Sequence, residues 1–521
     1  MATRLTVSTQ CPTCGADLDF GEGSNAVQCR FCGSNLLVTG RRQILSYSIA
    51  PTLDKHRAVA RVLLAHKEQG RARRVIKPQL YFVPYYRLTG HDLRWERAAP
   101  EPDAANAETK HALLSALSAD ANQSWADREP SNGLAALFNL VSGTMRDLLS
   151  GSPVTFGGRE VEDAAARTPA PAPTPSAAGL AAVMSGGGYN GGTGANPDGE
   201  LAFLDGYVEK NFVATDLSGP RLYSLGVRPN VLRLNLFHAG NLGALGTVVA
   251  AKIPPAAALE RALMTSVRQP LMFRGVLSQV LSLIYFPYWV VETEGAGERA
   301  LAIVDAVSES VVTLDESITL YETLEGRGVD QHRAVGFRPL VCPNCGWNLP
   351  LRPDDVIFAC SACGRAWQIA RDLLHEVAYQ VADVLGSTNA ATSTYLPFWR
   401  MTAVVGEDEP RPLTVPAFRY RRLKVLKDLA AALSKTAPAV TPYTGAVPPL
   451  HGCYYDQDDA VQLAQITYIG LSKHPEAAAE ALRERRLAVR DMVLTWLPFR
   501  RDGAGLTAPF TGQHLTPRLL L

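Results

Sequence analysis

The 521-residue sequence predicts a multidomain α+β chain in which one arrangement occurs twice. Two observations carry this prediction. Four Cys-x-x-Cys pairs fall into two clusters, Cys11–Cys14 with Cys29–Cys32 and Cys342–Cys345 with Cys360–Cys363, each with fourteen residues between its pairs. A segment reading aromatic, apolar, proline, aromatic also recurs four times, around Pro84, Pro287, Pro397 and Pro498. Each cluster is followed by two such segments, so the order is cluster, unit, unit, twice over. A tandem duplication accounts for that order.

The totals set the bounds. A chain this long exceeds what one core supports, and 47% hydrophobic residues suffice for several. A formal net charge of +1 gives no global attraction to nucleic acid or acidic lipid, which leaves only local patches for either. Eight of nine cysteines sit in the four pairs and Cys453 stands apart. That is metal-ligand usage and calls for a reducing compartment. Met-Ala-Thr-Arg-Leu-Thr-Val at the start lacks the apolar core of a signal peptide. The most apolar runs, Leu232–Ala258 and Leu271–Val291, are interrupted by charged and polar residues and read as buried core. The expectation is a soluble, cytoplasmic protein that does not span a membrane.

In chain order, residues 1–40 form the first cysteine domain: Leu18 and Phe20, a Gly-Glu-Gly-Ser-Asn turn, then Ala26-Val27 make strand, turn, strand. Residues 41–97 form a first α+β unit, with a helix opening at Ala50-Pro51-Thr-Leu-Asp54 and a strand through Phe82-Val83-Pro84-Tyr85. Residues 98–200 are dominated by Ala, Pro, Gly and Ser and are expected to be a flexible insertion, with marginal helices at 111–117 and 134–149. Residues 201–335 form unit two, containing a proline-opened helix at Ile253-Pro-Pro255 and a hairpin from Tyr285 to Asp305 about the Glu294–Glu298 turn. The second cysteine domain spans 338–370. Units three (371–445) and four (446–521) carry Pro397 and Pro498, with a helix through Leu373–Leu385 and another opened at Pro475. The motif prolines follow three of the helix starts by 33, 32 and 23 residues, so each helix is expected to serve the strand after it.

Thiolates in pairs on two tight turns hold one metal ion tetrahedrally with no open position. Cys11, Cys14, Cys29 and Cys32, and Cys342, Cys345, Cys360 and Cys363, are therefore read as ligands of two structural Zn2+ ions. Iron of the rubredoxin type, or a redox dithiol, uses the same turns. The glycine after the second cysteine of each pair fits a tight knuckle. The proline motifs read as core aromatics. Basic clusters at Arg71–Lys77, Arg419–Lys427 and Arg483–Arg486 are solvated faces by default and phosphate contacts in the second reading. Gly240–Gly246 lacks dinucleotide-loop spacing and reads as a packing turn. Asp305, Asp354–Asp355 and Asp458–Asp459 read as surface or turn acids, and Cys453 as a free thiol. The chain has no G-x-x-x-x-G-K-[ST], G-x-S-x-G or H-E-x-x-H motif, so no catalytic residue and no small-molecule substrate is indicated.

The run Cys-Pro-x-Cys-Gly…Cys-x-x-Cys-Gly resembles the zinc-ribbon superfamily, including the transcription-factor-IIB-type and rubredoxin-like ribbons. Tyr285-Phe-Pro-Tyr-Trp289 with Val304-Asp305-Ala also resembles the tyrosine-x-proline-x-tryptophan strand of uncharacterised bacterial zinc-ribbon proteins. The expected function is a non-enzymatic adaptor or scaffold acting through protein–protein contacts. The alternative is a nucleic-acid-binding accessory protein using the ribbons and basic helices.

Overall fold

The computed structural model describes residues 5–40, 44–97, 201–215, 232–264, 271–325, 335–370, 372–383, 393–437, 440–442, 448–503 and 505–520. The expectations for 98–200 lie outside these residues. Strands dominate. The first half runs β1 (Thr6–Gln10), β2 (Asp17–Gly21), β3 (Ala26–Gln28), β4 (Asn35–Thr39), β5 (Leu45–Ser48), α1 (Lys55–Glu68) and β6 (Arg74–Arg97). It continues with β7 (Leu201–Val213), β8 (Arg233–Leu236), α2 (Ala239–Leu245), β9 (Thr247–Val248) and α3 (Pro255–Met264). It ends with β10 (Leu271–Gly295), β11 (Glu298–Asp305), β12 (Val311–Glu316) and α4 (Leu320–Leu324). The second half runs β13 (Gly336–Pro339), β14 (Ile357–Ala359), β15 (Ala366–Ala370), β16 (Leu373–Val377), β17 (Tyr379–Asp383), β18 (Ser393–Val405) and β19 (Arg411–Pro416). Then come α5 (Leu423–Thr436), β20 (Thr441–Pro442), α6 (Gln457–Leu471), α7 (Pro475–Glu484), β21 (Leu487–Asp502), β22 (Gly505–Thr507) and β23 (His514–Leu515).

Two large sheets are built around the proline motifs. In the first half β6 and β10 pair antiparallel, with Pro84 opposite Tyr285 and Pro287 opposite Phe82. In the second half β18 and β21 pair antiparallel, with Pro397 opposite Trp496 and Pro498 opposite Tyr395. The two registers are the same. A proline donates no hydrogen bond, so two in adjacent strands must sit where the ladder does not need their N–H groups. The rings one residue beyond the prolines then meet across each pair. The Tyr85 and Tyr288 hydroxyls lie 3.2 Å apart, and Phe398 stacks on Phe499 at 5.8 Å between centroids.

A fixed set of hydrogen bonds surrounds three of the four prolines. The carbonyl two residues before the proline (Phe82, Tyr285, Tyr395) accepts from Val249, Ile49 and His451 respectively. The proline carbonyl accepts from a fully buried alanine, Ala214, Ala306 or Ala417. That alanine's carbonyl accepts from two consecutive N–H groups: Lys252 and Ile253, Thr52 and Leu53, or Tyr454 and Tyr455. The aromatic two residues after the proline donates to the second of these residues: Tyr86 to the Ile253 carbonyl at 2.7 Å, Trp289 to Leu53 at 2.8 Å, and Trp399 to Tyr455 at 2.9 Å. A helix starts immediately beyond: α3 behind Pro254, α1 behind its N-cap Asp54, and α6 behind its N-cap Asp456. Each helix entry is thus tied to its strand at the backbone, which satisfies the main-chain groups named above.

The spatial grouping differs from chain order. Helix α1 seats on the β10–β11 hairpin and α3 on β6, so neither serves the strand that follows it. In the second half the seated helix is α6, opened by Asp456, whereas the proline-opened helix is α7. Sequence order carries no signal for such an exchange. Among the described residues the fourth proline has only part of this arrangement. Val381 of β17 pairs beside Trp496, as Val248, Ser48 and Leu450 pair beside Phe82, Tyr285 and Tyr395. Register then places Pro509, which has no N–H, where Ala306 and Ala417 stand, and Arg500 where the tryptophans stand.

Leu373–Leu385, expected as a helix, is instead β16 and β17 as far as Asp383. Its apolar residues also fit the strand period, and pairing with β15 and β21 decides the outcome. Gly240–Gly246, read as a packing turn, contains α2 with Gly246 at its C-cap.

The halves are locked together. Leu93, Trp95 and Leu277, at the far ends of β6 and β10, enter the core of the second half. A β-bulge between Leu277 and Val280 puts Ser278 at φ +47°, and its N–H donates to Asp459 in the first turn of α6 at 2.8 Å. Among the described residues no helix is long and apolar enough to cross a membrane.

Candidate metal centres

The four cysteine knuckles share one backbone pattern. The first cysteine's N–H donates to the carbonyl five residues on: Cys11 to Ala16, Cys29 to Ser34, Cys342 to Trp347 and Cys360 to Arg365. The glycine N–H returns to the first cysteine's carbonyl, from Gly15, Gly33, Gly346 and Gly364. Those glycines sit at φ +76°, +71°, +73° and +71°, a left-handed conformation that a β-carbon disfavours. The turn is what lets two side chains three residues apart point the same way.

Each set of four Sγ atoms lies within 4.8 Å of one another. The Sγ–Sγ separations are 3.8 Å (Cys11–Cys32), 3.7 Å (Cys14–Cys29), 3.6 Å (Cys342–Cys363) and 3.6 Å (Cys345–Cys360). Sulfurs about 2.3 Å from a tetrahedral ion would be about 3.8 Å apart, whereas a disulfide would bring them to about 2.05 Å. The donor sets therefore fit a tetrahedral metal ion, and the structure brings together all eight cysteines expected as ligands. Local groups pre-polarise one thiol strongly in each cluster, while the neighbouring cysteine side chains push Cys14 and Cys345 up to about 12. The Ser34 hydroxyl and N–H draw Cys32 down to about 6. Cys342 also lies near 6, because the N–H groups of Cys345 and Asn344 overcome the opposing effect of its burial. A thiolate is the ligand form, so both shifts favour metal binding.

The two clusters sit side by side. β4 of the first pairs antiparallel with β13, which leads into the second. Asn25 and Ala26 N–H groups both donate to the Pro353 carbonyl, at 2.6 and 3.1 Å. Ala26, Leu37, Leu340, Leu349, Phe358 and Trp367 pack between them with Cys342 and Cys360. Two supporting residues have no sequence signature. Ser34 lies beside Cys32, and Tyr379 donates its hydroxyl to the Gly364 carbonyl at 2.6 Å. The second depends on β17 folding back over the knuckle, so spacing could not reveal it.

The remaining candidates fall elsewhere. Cys453 is fully buried, joins neither cluster, and its thiol is pushed well up by burial. Asp305, Asp355 and Asp459 are buried, where surface or turn positions were expected. Asp305 does hold a turn, accepting from Val307 and Ser308. Burial pushes Asp355 and Asp459 up to about 7. Basic residues of the first cluster are ion-paired, Arg71 and Arg73 to Asp315 and Arg74 to Glu294. Arg419 pairs with Asp354 and lies over the Tyr454 ring, and it precedes α5 along with Arg421 and Arg422.

A cleft of about 1290 Å³ lies between the halves, lined by Arg87, Asp205, Ser278, Asp354, Arg419 and Asp459 among others. Several of its charged groups are engaged. Arg87 pairs with Glu22 and Glu209, Arg419 with Asp354, and Asp459 with the Ser278 backbone. No family model matches the chain, and no curated protein or solved structure matches it.

Proposed function

We propose that this chain is a non-enzymatic scaffold of the bacterial cytoplasm that holds two structural Zn2+ ions and acts through protein–protein contacts. The observation that carries the reading is the pair of all-cysteine sites packed against each other. Four thiolates complete a tetrahedral shell, so such a metal has no position for water or substrate and serves to hold the fold. Zinc is favoured over iron because it needs no redox partner and suits four thiolates. The ion-paired state of Arg71, Arg73, Arg74 and Arg419 favours protein contacts over the nucleic-acid alternative.

The finer architecture belongs to the same proposal. Two ribbons (1–40 and 338–370), each followed by two units, descend from a tandem duplication. The shared register about the four prolines and the four matching knuckles support it.

Metal analysis of protein purified without chelator is expected to give two zinc per chain. Native sizing of host extract is expected to place the endogenous chain in an assembly larger than its own 56.2 kDa. A lone monomer at endogenous concentration would sink the scaffold reading. A salt-sensitive mobility shift with short DNA or RNA would promote the alternative.

A further inference from the structure

His66 is the buried titratable group with the least support in the described structure. It lies in the last turn of α1, on the stripe Ala58, Val62, His66 that faces the sheet. Its exposure is 1%, and neither Nδ1 nor Nε2 has a hydrogen-bond partner. A neutral imidazole normally offers one donor and one acceptor, and a buried ring that uses neither is already costly. The elements around it do not welcome a second proton. β10 and β11 contribute Val291, Ala302 and Val304 to the core that α1 completes. The charges acting on the ring are Asp315 on β12 and Arg73 and Arg71 in the connection to β6. Asp315 is already bound by both of these guanidiniums, Arg73 at 2.8 Å. A protonated His66 would thus be a third cation around one carboxylate, inside an apolar seat.

We propose that His66 is an acid-sensitive latch on α1: protonation of its ring unseats the helix from the apolar core that its Ala58 and Val62 share with Val291, Ala302 and Val304. Burial holds the ring's basicity below that of a free histidine, with the two arginines acting in the same direction and Asp315 against it. The sign follows directly. The opened state binds the proton better than the seated state, so seating is complete above about pH 6.5 and weakens as pH falls below it. One proton limits the effect to about tenfold in the opening equilibrium per pH unit. Helix α1 is where this matters, because its entry is tied to the β10–β11 hairpin through Trp289 and Ala306.

The test is amide hydrogen exchange of the full chain between pH 5 and 8, expressed as protection factors for 58–68. The expected result is protection that falls below about pH 6.5 with a slope of up to tenfold per unit, and that becomes flat in His66→Leu. Equal slopes in both proteins, or flat protection in the wild type, would overturn the latch. Should His66→Leu fold poorly, NMR titration of the wild-type imidazole decides instead. Titration below about 6.5 supports the latch, and titration at or above it refutes it.

Discussion

The tryptophan anchor of the helix entry is open to a quantitative test. Trp399 is 1% exposed, and its Nε1–H donates to the Tyr455 carbonyl at 2.9 Å, directly before the Asp456 N-cap of α6. Trp399→Phe keeps an aromatic ring but removes the donor and one ring of the indole. The buried carbonyl is then left with only the weak Cys453 Sγ–H donor at 3.6 Å, a loss of about 1–3 kcal/mol. The space left by the missing ring adds about 1–2 kcal/mol on the scale of large-to-small core changes. A loss of roughly 2–5 kcal/mol follows, large against a typical stability of about 5–15 kcal/mol. Arg500 takes the corresponding place beyond the fourth proline, where the side chain is exposed. Arg500→Ala should therefore change stability by less than about 0.5 kcal/mol. Urea unfolding followed by far-UV circular dichroism measures both. A Trp399→Phe loss no larger than that of Arg500→Ala would refute the claim that this hydrogen bond secures the helix entry.

Two further outcomes are expected. Cys345→Ser should lower metal content from two ions to one per chain by elemental analysis, leaving the Cys11 site loaded; loss of both ions would mean that the packed ribbons bind as a unit. Burial raises Asp355 to about 7, above its unfolded value, so its contribution is fully present below about pH 4 and is lost as pH rises through 7. Asp355→Asn should accordingly raise the urea midpoint at pH 8, by on the order of 2–4 kcal/mol in stability, and lose that advantage near pH 4; an advantage independent of pH would refute the assignment.

The two cysteine clusters were legible because a knuckle is local. Its cysteine spacing, glycine and hydrogen bonds all fall within six residues, so the pattern survives without knowledge of the rest of the fold. The proline strands were legible for a similar reason, as Phe82, Tyr285, Tyr395 and Trp496 announce a buried strand wherever they pair. What could not be read is the set of partnerships that span long separations. Leu53 meets Trp289, and Ser278 meets Asp459, across some two hundred residues of chain. Asp459 reads as an ordinary first-turn acid until β10 arrives to bury it. Leu373–Val381 has apolar spacing compatible with either period, and only strands contributed from elsewhere settle it.

The surroundings of the fourth proline depart from those of the other three. All the departures point the same way. Four residues beyond the proline, Leu88, Val291 and Met401 are buried, whereas Asp502 beyond the fourth proline is exposed. Asp502 pairs with Arg500 at 2.9 Å and accepts from Thr507 at 2.6 Å, which makes a polar face where the others bury a helix. Pro509 removes the N–H that would tie the returning strand to the Pro498 carbonyl. β6 and β7 are successive strands whose facing rings, Trp95–Phe203, His91–Tyr207 and Tyr86–Phe212, run in opposite directions, as in a hairpin. Ala296-Gly297 makes the corresponding turn between β10 and β11. Each proline strand of the first half thus pairs with the strand that follows it among the described residues.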